Sequence, residues 1–185
     1  MAGELQLGGT TLATHTGSGA SAKINLDSGL VFPAGHIIQV TDEQNLGSAN
    51  TTSTANVAWS TTYPAVTPLV SGSKIIAVFN VGVFNDVDSD SAGFNMGRCY
   101  AERKVGDTNF ASGQTSLFSH NGNSYIFIPG RGGNSSVTYF HSIYTTTSTS
   151  TIYFRLGVLK SEGINNIYLG NNYSKNTVYF VEVAQ

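Results

Sequence analysis

Lys74-Ile-Ile-Ala-Val-Phe-Asn-Val-Gly-Val-Phe84 is the stretch that decides the fold class. Its β-branched and aromatic residues suit extended backbone. Its nearly continuous apolar character is that of a strand central in its sheet. On either side helical periodicity is almost absent, and Gly, Ser, Asn and Thr clusters punctuate short apolar runs. That is the pattern of a β-sandwich or barrel.

Working outward toward the C-terminus, Ser124-Tyr-Ile-Phe-Ile128 reads as a strand. It is stopped by Pro129-Gly-Arg-Gly-Gly133, where glycines supply turn conformations and proline has no N–H for a ladder. Residues 137–144 form another. In Thr151-Ile-Tyr-Phe-Arg-Leu-Gly-Val-Leu159, period two puts Ile152, Phe154, Leu156 and Val158 on one face. In Thr177-Val-Tyr-Phe-Val-Glu-Val183 it puts Tyr179, Val181 and Val183 on one face and Glu182 on the other. Weaker strands fit 97–104 and 163–169.

Toward the N-terminus the character changes. Short alternating pieces at 4–7 and 23–26 are separated by Gly8-Gly9 and Thr16-Gly-Ser-Gly-Ala-Ser21, and 45–55 carries no packing signal. The first 45 residues hold too few large apolar groups to offset the ordering of their backbone. We therefore expect two parts: an extended N-terminal assembly arm over 1–45, and a β-sandwich knob over 46–185; the alternative for the first part is an edge hairpin of the same domain. Leu5, Leu7, Leu12, Ile24 and Leu26 are the arm's apolar points, suited to strand addition or groove insertion on a neighbour.

Composition narrows function. Charged residues make up 11% of the 185, less than half the roughly 25% of an ordinary soluble domain. Ser, Thr, Asn and Gly take their place, a composition suited to subunit packing or to neutral polar ligands. A net charge of −2 offers no footprint for nucleic acid or an anionic membrane. The single cysteine, Cys99, leaves no internal disulfide. Met1-Ala-Gly-Glu-Leu-Gln-Leu-Gly-Gly9 lacks the basic and apolar regions of a secretory signal. No apolar run nears the roughly 20 residues that span a bilayer. The expectation is synthesis in a cytoplasm without membrane insertion.

Three segments resemble a family of phage virion domains, common in marine and cyanobacterial tailed phages and labelled tail fibre or structural protein. The first is Val31-Phe-Pro-Ala-Gly-His-Ile-Ile-Gln-Val40. The second runs from Trp59 through Val66-Thr-Pro-Leu-Val-Ser-Gly-Ser-Lys-Ile-Ile-Ala-Val78 and is similar to the family's tryptophan, turn and "TP-x-x-x-x-SKI" pattern. The third is the Thr/Ser-rich stretch from Tyr144 to Phe154 with the terminal Thr177-Val-Tyr-Phe-Val-Glu-Val-Ala-Gln185 and its late glutamate. The turn Leu69-Val70-Ser71-Gly72 departs from the family's Ser-rich turn, and the middle loops match none of it. The resemblance implies a β-sandwich of jelly-roll type, often trimeric, on the outside of a particle, and it carries over no catalytic residues.

Candidate sites are few. Asp86, Asp88 and Asp90 have the spacing of oxygen ligands for a hard cation, but Ser91 stands where an EF-hand needs glycine and Gly97 where it needs glutamate. A solvated acidic turn is the preferred reading, with no metal and no cofactor. His15, His36, His120 and His141 are scattered without metal spacing; His141, inside a strand, reads as a packed imidazole. Glu102, Asp107 and Glu162 stand near Arg103 and Lys160 and read as surface pairs. No nucleophile elbow or phosphate loop occurs. Loops rich in amides with an aromatic or a cation suit sugar or peptide contact, and they nominate His120, Asn121, Arg131, Asn171, Asn172 and Tyr173 as receptor contacts.

The sequence thus predicts an all-β, non-enzymatic virion protein. Its form is a homotrimeric tail fibre or tip that meets a host glycan or protein receptor and joins other virion proteins through its arm. The alternative is a capsid decoration protein that stabilises the shell. The absence of a shaft repeat or coiled coil keeps both open.

Overall fold

Every regular element among the described residues is a strand; none is a helix, so no helix is long and apolar enough to cross a membrane. The computed structural model describes residues 3–7, 10–16, 23–26, 34–85, 94–118, 126–131, 135–162, 166–170 and 176–185. The chain divides into two compact units, Met1–Ala34 and Gly35–Gln185.

The first unit is a three-stranded antiparallel sheet of β1 (Gly3–Leu7), β2 (Thr10–Thr16) and β3 (Lys23–Leu26) in chain order. Leu5 stands opposite Ala13, Leu26 opposite Ala13 from the other side, and Ile24 opposite His15. Leu5 and Leu7 lie on β1, Leu12 on β2, Ile24 and Leu26 on β3.

In the second unit the first strands are short: β4 (Ile37–Val40), β5 (Gln44–Asn45), β6 (Ala49–Thr51), β7 (Ala58–Trp59) and β8 (Ala65–Val66). Two long strands follow, β9 (Lys74–Asn85) and β10 (Phe94–Val105), then β11 (Thr115–Ser116), β12 (Ile126–Arg131) and β13 (Ser135–Thr145). The chain ends with β14 (Ile152–Glu162), β15 (Ile167–Leu169) and β16 (Thr177–Val183). Residues 37–40 and 44–45, which the sequence reading counted with the arm, pair with β16 inside this unit.

These strands form two antiparallel sheets. In the first, β9 is central as its apolar run requires, with β13 along one side and β16 and β15 along the other; β4 and β5 extend it beyond β16, and β6 beyond β15. In the second, β10 pairs β14 on one side and β11 and β12 on the other, while β7 and β8 pair the far side of β14.

The sheets face one another across a single core, which makes the unit a β-sandwich. Ile75, Ala77, Phe79, Val81 and Val83 of β9 and Val178 and Phe180 of β16 meet Cys99 and Ala101 of β10 and Ile152, Phe154, Leu156 and Val158 of β14. A chain of rings runs through it: Phe118 against Phe140 at 4.7 Å, Phe140 on Phe79 at 4.5 Å, Phe79 on Phe154 at 6.0 Å, and Phe154 on Phe180 at 4.8 Å. Each fully buried ring contributes about 1.5–3 kcal/mol relative to exposure. Leu46, in the stretch that carried no packing signal, is also fully buried.

Two buried polar side chains tie β16 and its approach to the sandwich. Asn176 Oδ1 accepts from Gly82 N at 2.8 Å while its Nδ2 donates to Gly47 O at 3.0 Å. Glu182, only 1% exposed, accepts from Leu69 N at 2.9 Å, Val70 N at 3.1 Å and Ser73 Oγ at 2.6 Å. Period two holds along β16, but the face carrying Glu182 points inward with Val178 and Phe180. Tyr179, Val181 and Val183 point away from the core. A carboxylate belongs inside because the 69–73 turn offers it the Ser73 hydroxyl and two backbone amides that would otherwise lack partners.

Candidate functional site

The orientation of β16 leaves an apolar surface on the outside of the first sheet. Alternate residues of each strand face outward together, and the registers line them up in rows. Ile143 of β13 stands beside Ile76 of β9, then Val181 of β16, then Val40 of β4. The next row toward the C-terminal end of β9 is His141, Val78 and Tyr179; beyond it stand Tyr139 and Asn80, and beyond those Val137 and Gly82. At the other end lie Thr145, Lys74, Val183 and Ile37. The large side chains are open to solvent: Tyr139 by 72%, Ile37 by 63%, Val40 by 62%, Ile143 by 57%, Val137 by 50% and Tyr179 by 40%. Lys74 is the one residue of these rows with a fixed charge.

The outside of the second sheet is built differently, because the chain covers it with its own loops. Gly157 of β14 has no side chain, and a Cβ there would lie 2.6 Å from the Trp59 ring and from Val57 Cγ1, so the indole rests directly on the strand. Arg155, two residues earlier on the same face, lies 3.9 Å from the centre of the Trp59 ring and 4.4 Å from that of Phe110, on which Tyr63 stacks at 5.4 Å. Its guanidinium donates to Glu102 Oε2 from Nε at 2.9 Å and from Nη2 at 2.6 Å. Glu102 stands directly opposite Arg155 across β10 and β14. Cation, carboxylate and rings satisfy one another, and among the described residues no large apolar face is left bare there.

The sequence-derived sites fare unevenly. His120, Asn121, Asn171, Asn172, Tyr173 and the cation-ligand candidates Asp86, Asp88 and Asp90 lie outside the described residues. Among the described residues no group of three or more His, Cys, Asp or Glu could hold a metal ion. Arg131 closes β12 opposite Phe94, at the end of the sandwich where β13 begins with Ser135 opposite Phe84. Leu169, ahead of Asn171 and Tyr173, stands opposite Val83 near that end. Ile126, behind His120 and Asn121, stands opposite Cys99 well along β10.

Two sequence readings are corrected. His141 is not a packed core imidazole; period two turns it outward with Tyr139 and Ile143, where it is exposed. Glu102 is not a surface partner of Arg103; it is mostly buried and binds Arg155, while Arg103 lies over the Tyr144 ring at 4.2 Å. Asp107 does pair at the surface, with Lys104 Nζ at 2.9 Å, and that bond holds its carboxyl below the usual range. Cys99 is sealed in the core, where burial pushes its thiol up to about 12. Reading residues 137–143 and 179–183 as two apolar alternations in one sheet would have found the outward face; the missing signal was which side the second sheet covers. No protein-family model and no curated protein matches this chain.

Proposed function

We propose that this chain is a non-enzymatic structural protein of a tailed-phage particle: a homotrimeric, fibre- or tip-type knob that meets the host surface. The residues before Gly35 are its assembly arm. The observation that carries the reading is a convergence of two of the three segments that resemble phage virion domains. Ser73 of the Ser-Lys-Ile motif, the Leu69 and Val70 amides of the Thr-Pro turn, and the late glutamate Glu182 form one buried hydrogen-bonded knot. Thr146, from the Thr/Ser-rich stretch, joins it through Val70 O at 3.1 Å. Residues from the second and third of those segments, scattered over more than half the chain, thus serve one purpose, which supports treating the two as one pattern rather than as short coincidences.

In this reading the knob is a jelly roll. Take β4, β7, β9, β10, β12, β13, β14 and β16 as its successive main strands. The first pairs with the last, the last with the third and the third with the sixth; in the other sheet the second pairs with the seventh, the seventh with the fourth and the fourth with the fifth. That order supports two Greek keys wound together. Receptor contact is assigned to His120, Asn121, Arg131, Asn171, Asn172 and Tyr173. The partners are other virion proteins, further copies of the chain and a host glycan or protein, with no nucleic acid, membrane insertion or cofactor.

Antibody labelling of whole particles of the phage encoding this chain tests the reading. Label at the tail is expected. Label over the shell supports the decoration reading instead, and unlabelled particles overturn both. On the same phage, the triple change Arg131→Ala, Asn172→Ala and Tyr173→Ala should slow adsorption; normal adsorption removes the receptor assignment. A chain lacking 1–34 should fold and stay off particles, whereas failure to fold would make the first unit part of the knob's stability.

A further inference from the structure

We propose that the outward face of the first sheet, across β13, β9, β16 and β4, is the surface on which copies of this chain pack against one another. The inference rests on the proposed homotrimer for the number of copies; the choice of face rests on the side chains alone.

Isolated surface hydrophobics need no explanation, but a contiguous field of them does. Here six large apolar side chains on three strands are at least two-fifths exposed, with Ile76, Val78, Val181 and Val183 filling the rows between them. The six alone present on the order of 600 Å², close to the roughly 800 Å² per partner that a standard specific interface buries.

The chemistry of the face selects its occupant. A lipid surface or an anionic polymer would ask for a rim of lysines and arginines, and these rows contain Lys74 alone. A highly charged partner would gain nothing from burying its charges against Ile143, Val181 and Val40. Copies that turn this face toward a common axis meet neither obstacle, since each brings almost no fixed charge to repel its mates and is equally apolar.

The edge of the sheet argues the same way. β13 pairs only with β9 among the described strands, and its sequence Ser-Ser-Val-Thr-Tyr-Phe-His-Ser-Ile-Tyr-Thr contains no Lys, Arg, Asp, Glu or Pro. Those are the residues with which exposed edge strands discourage association. An edge without them, beside an open apolar face, belongs inside an assembly.

The test is sedimentation of the full chain across a micromolar concentration range. The unsubstituted chain should assemble. The double change Tyr139→Lys with Ile143→Lys, and separately Val40→Lys, should each weaken self-association by about tenfold or more. Val105→Lys, at an exposed position on the second sheet, should leave it unchanged. Where lysine prevents folding, Tyr139→Ser and Ile143→Thr keep β-compatible side chains and must show the same direction. Assembly that survives all of these changes overturns the face while leaving the homotrimer and virion reading intact. A monomeric unsubstituted chain overturns the face and the homotrimer together. Particle labelling, which does not depend on either result, decides the virion reading.

Discussion

The two outer faces of this sandwich belong to the same domain and have opposite finishes. On the second sheet, Trp59 lies on Gly157, Arg155 is held against Trp59 and Phe110 and bonded to Glu102, and the polar atoms and rings satisfy one another. On the first sheet, Tyr139, Ile143, Val40 and Ile37 point into solvent with nothing from the described residues of this unit above them. The first arrangement contributes to folding; the second contributes little until a partner arrives. The contrast separates residues that hold a domain together from residues it keeps for assembly, because substitutions on the two faces should register in different measurements.

The largest effect is expected at Glu182, which determines which side of β16 is the bare one. Glu182→Ala would remove the acceptor of the Leu69 and Val70 amides and one of the partners of the Ser73 hydroxyl, costing about 3–5 kcal/mol. Glu182→Gln, which keeps one acceptor oxygen, should cost less. Equilibrium urea unfolding measures both, and a loss under 1 kcal/mol for the alanine would mean that Glu182 does not hold the strand's orientation.

Arg155→Ala comes next. It removes a mostly buried ion pair together with two ring contacts, at about 2–4 kcal/mol. In a double-mutant cycle with Glu102→Gln the two losses should fall well short of adding. Full additivity would mean that the covered face is not one coupled cluster.

Gly157→Ala sharpens the comparison further. The added methyl would meet the Trp59 ring and Val57 at 2.6 Å, so the lid must lift, costing about 1–3 kcal/mol and increasing the exposure of tryptophan. Because Trp59 is the only tryptophan, its fluorescence reports the lid directly. An unshifted emission spectrum would show that the indole does not rest on the strand as described.

The smallest folding effect should be at Tyr139. Tyr139→Ser, measured at dilutions where copies are separate, is expected to change stability by no more than about 0.5 kcal/mol. A loss as large as that of Arg155→Ala would erase the distinction between the faces.

Much of this was legible in the sequence. The central strand at 74–84, the strands near 137–144, 151–159 and 177–183, and the inward set Ile152, Phe154, Leu156 and Val158 follow from local alternation and β-favouring side chains. Such patterns depend on neighbours two residues apart, so a sequence displays them directly. What only the tertiary structure decided is which of two alternating faces is covered. Hydropathy alone would turn Tyr179, Val181 and Val183 inward and Glu182 outward. The fold does the reverse, because donors at Leu69 and Ser73, 113 and 109 residues away, make the buried carboxylate tolerable. The same holds for Glu102, whose partner Arg155 is 53 residues distant across the ladder rather than the adjacent Arg103. Alternation is a local property of the chain. Burial and the pairing of charge depend on what the rest of the molecule brings to that face, and no window of sequence contains it.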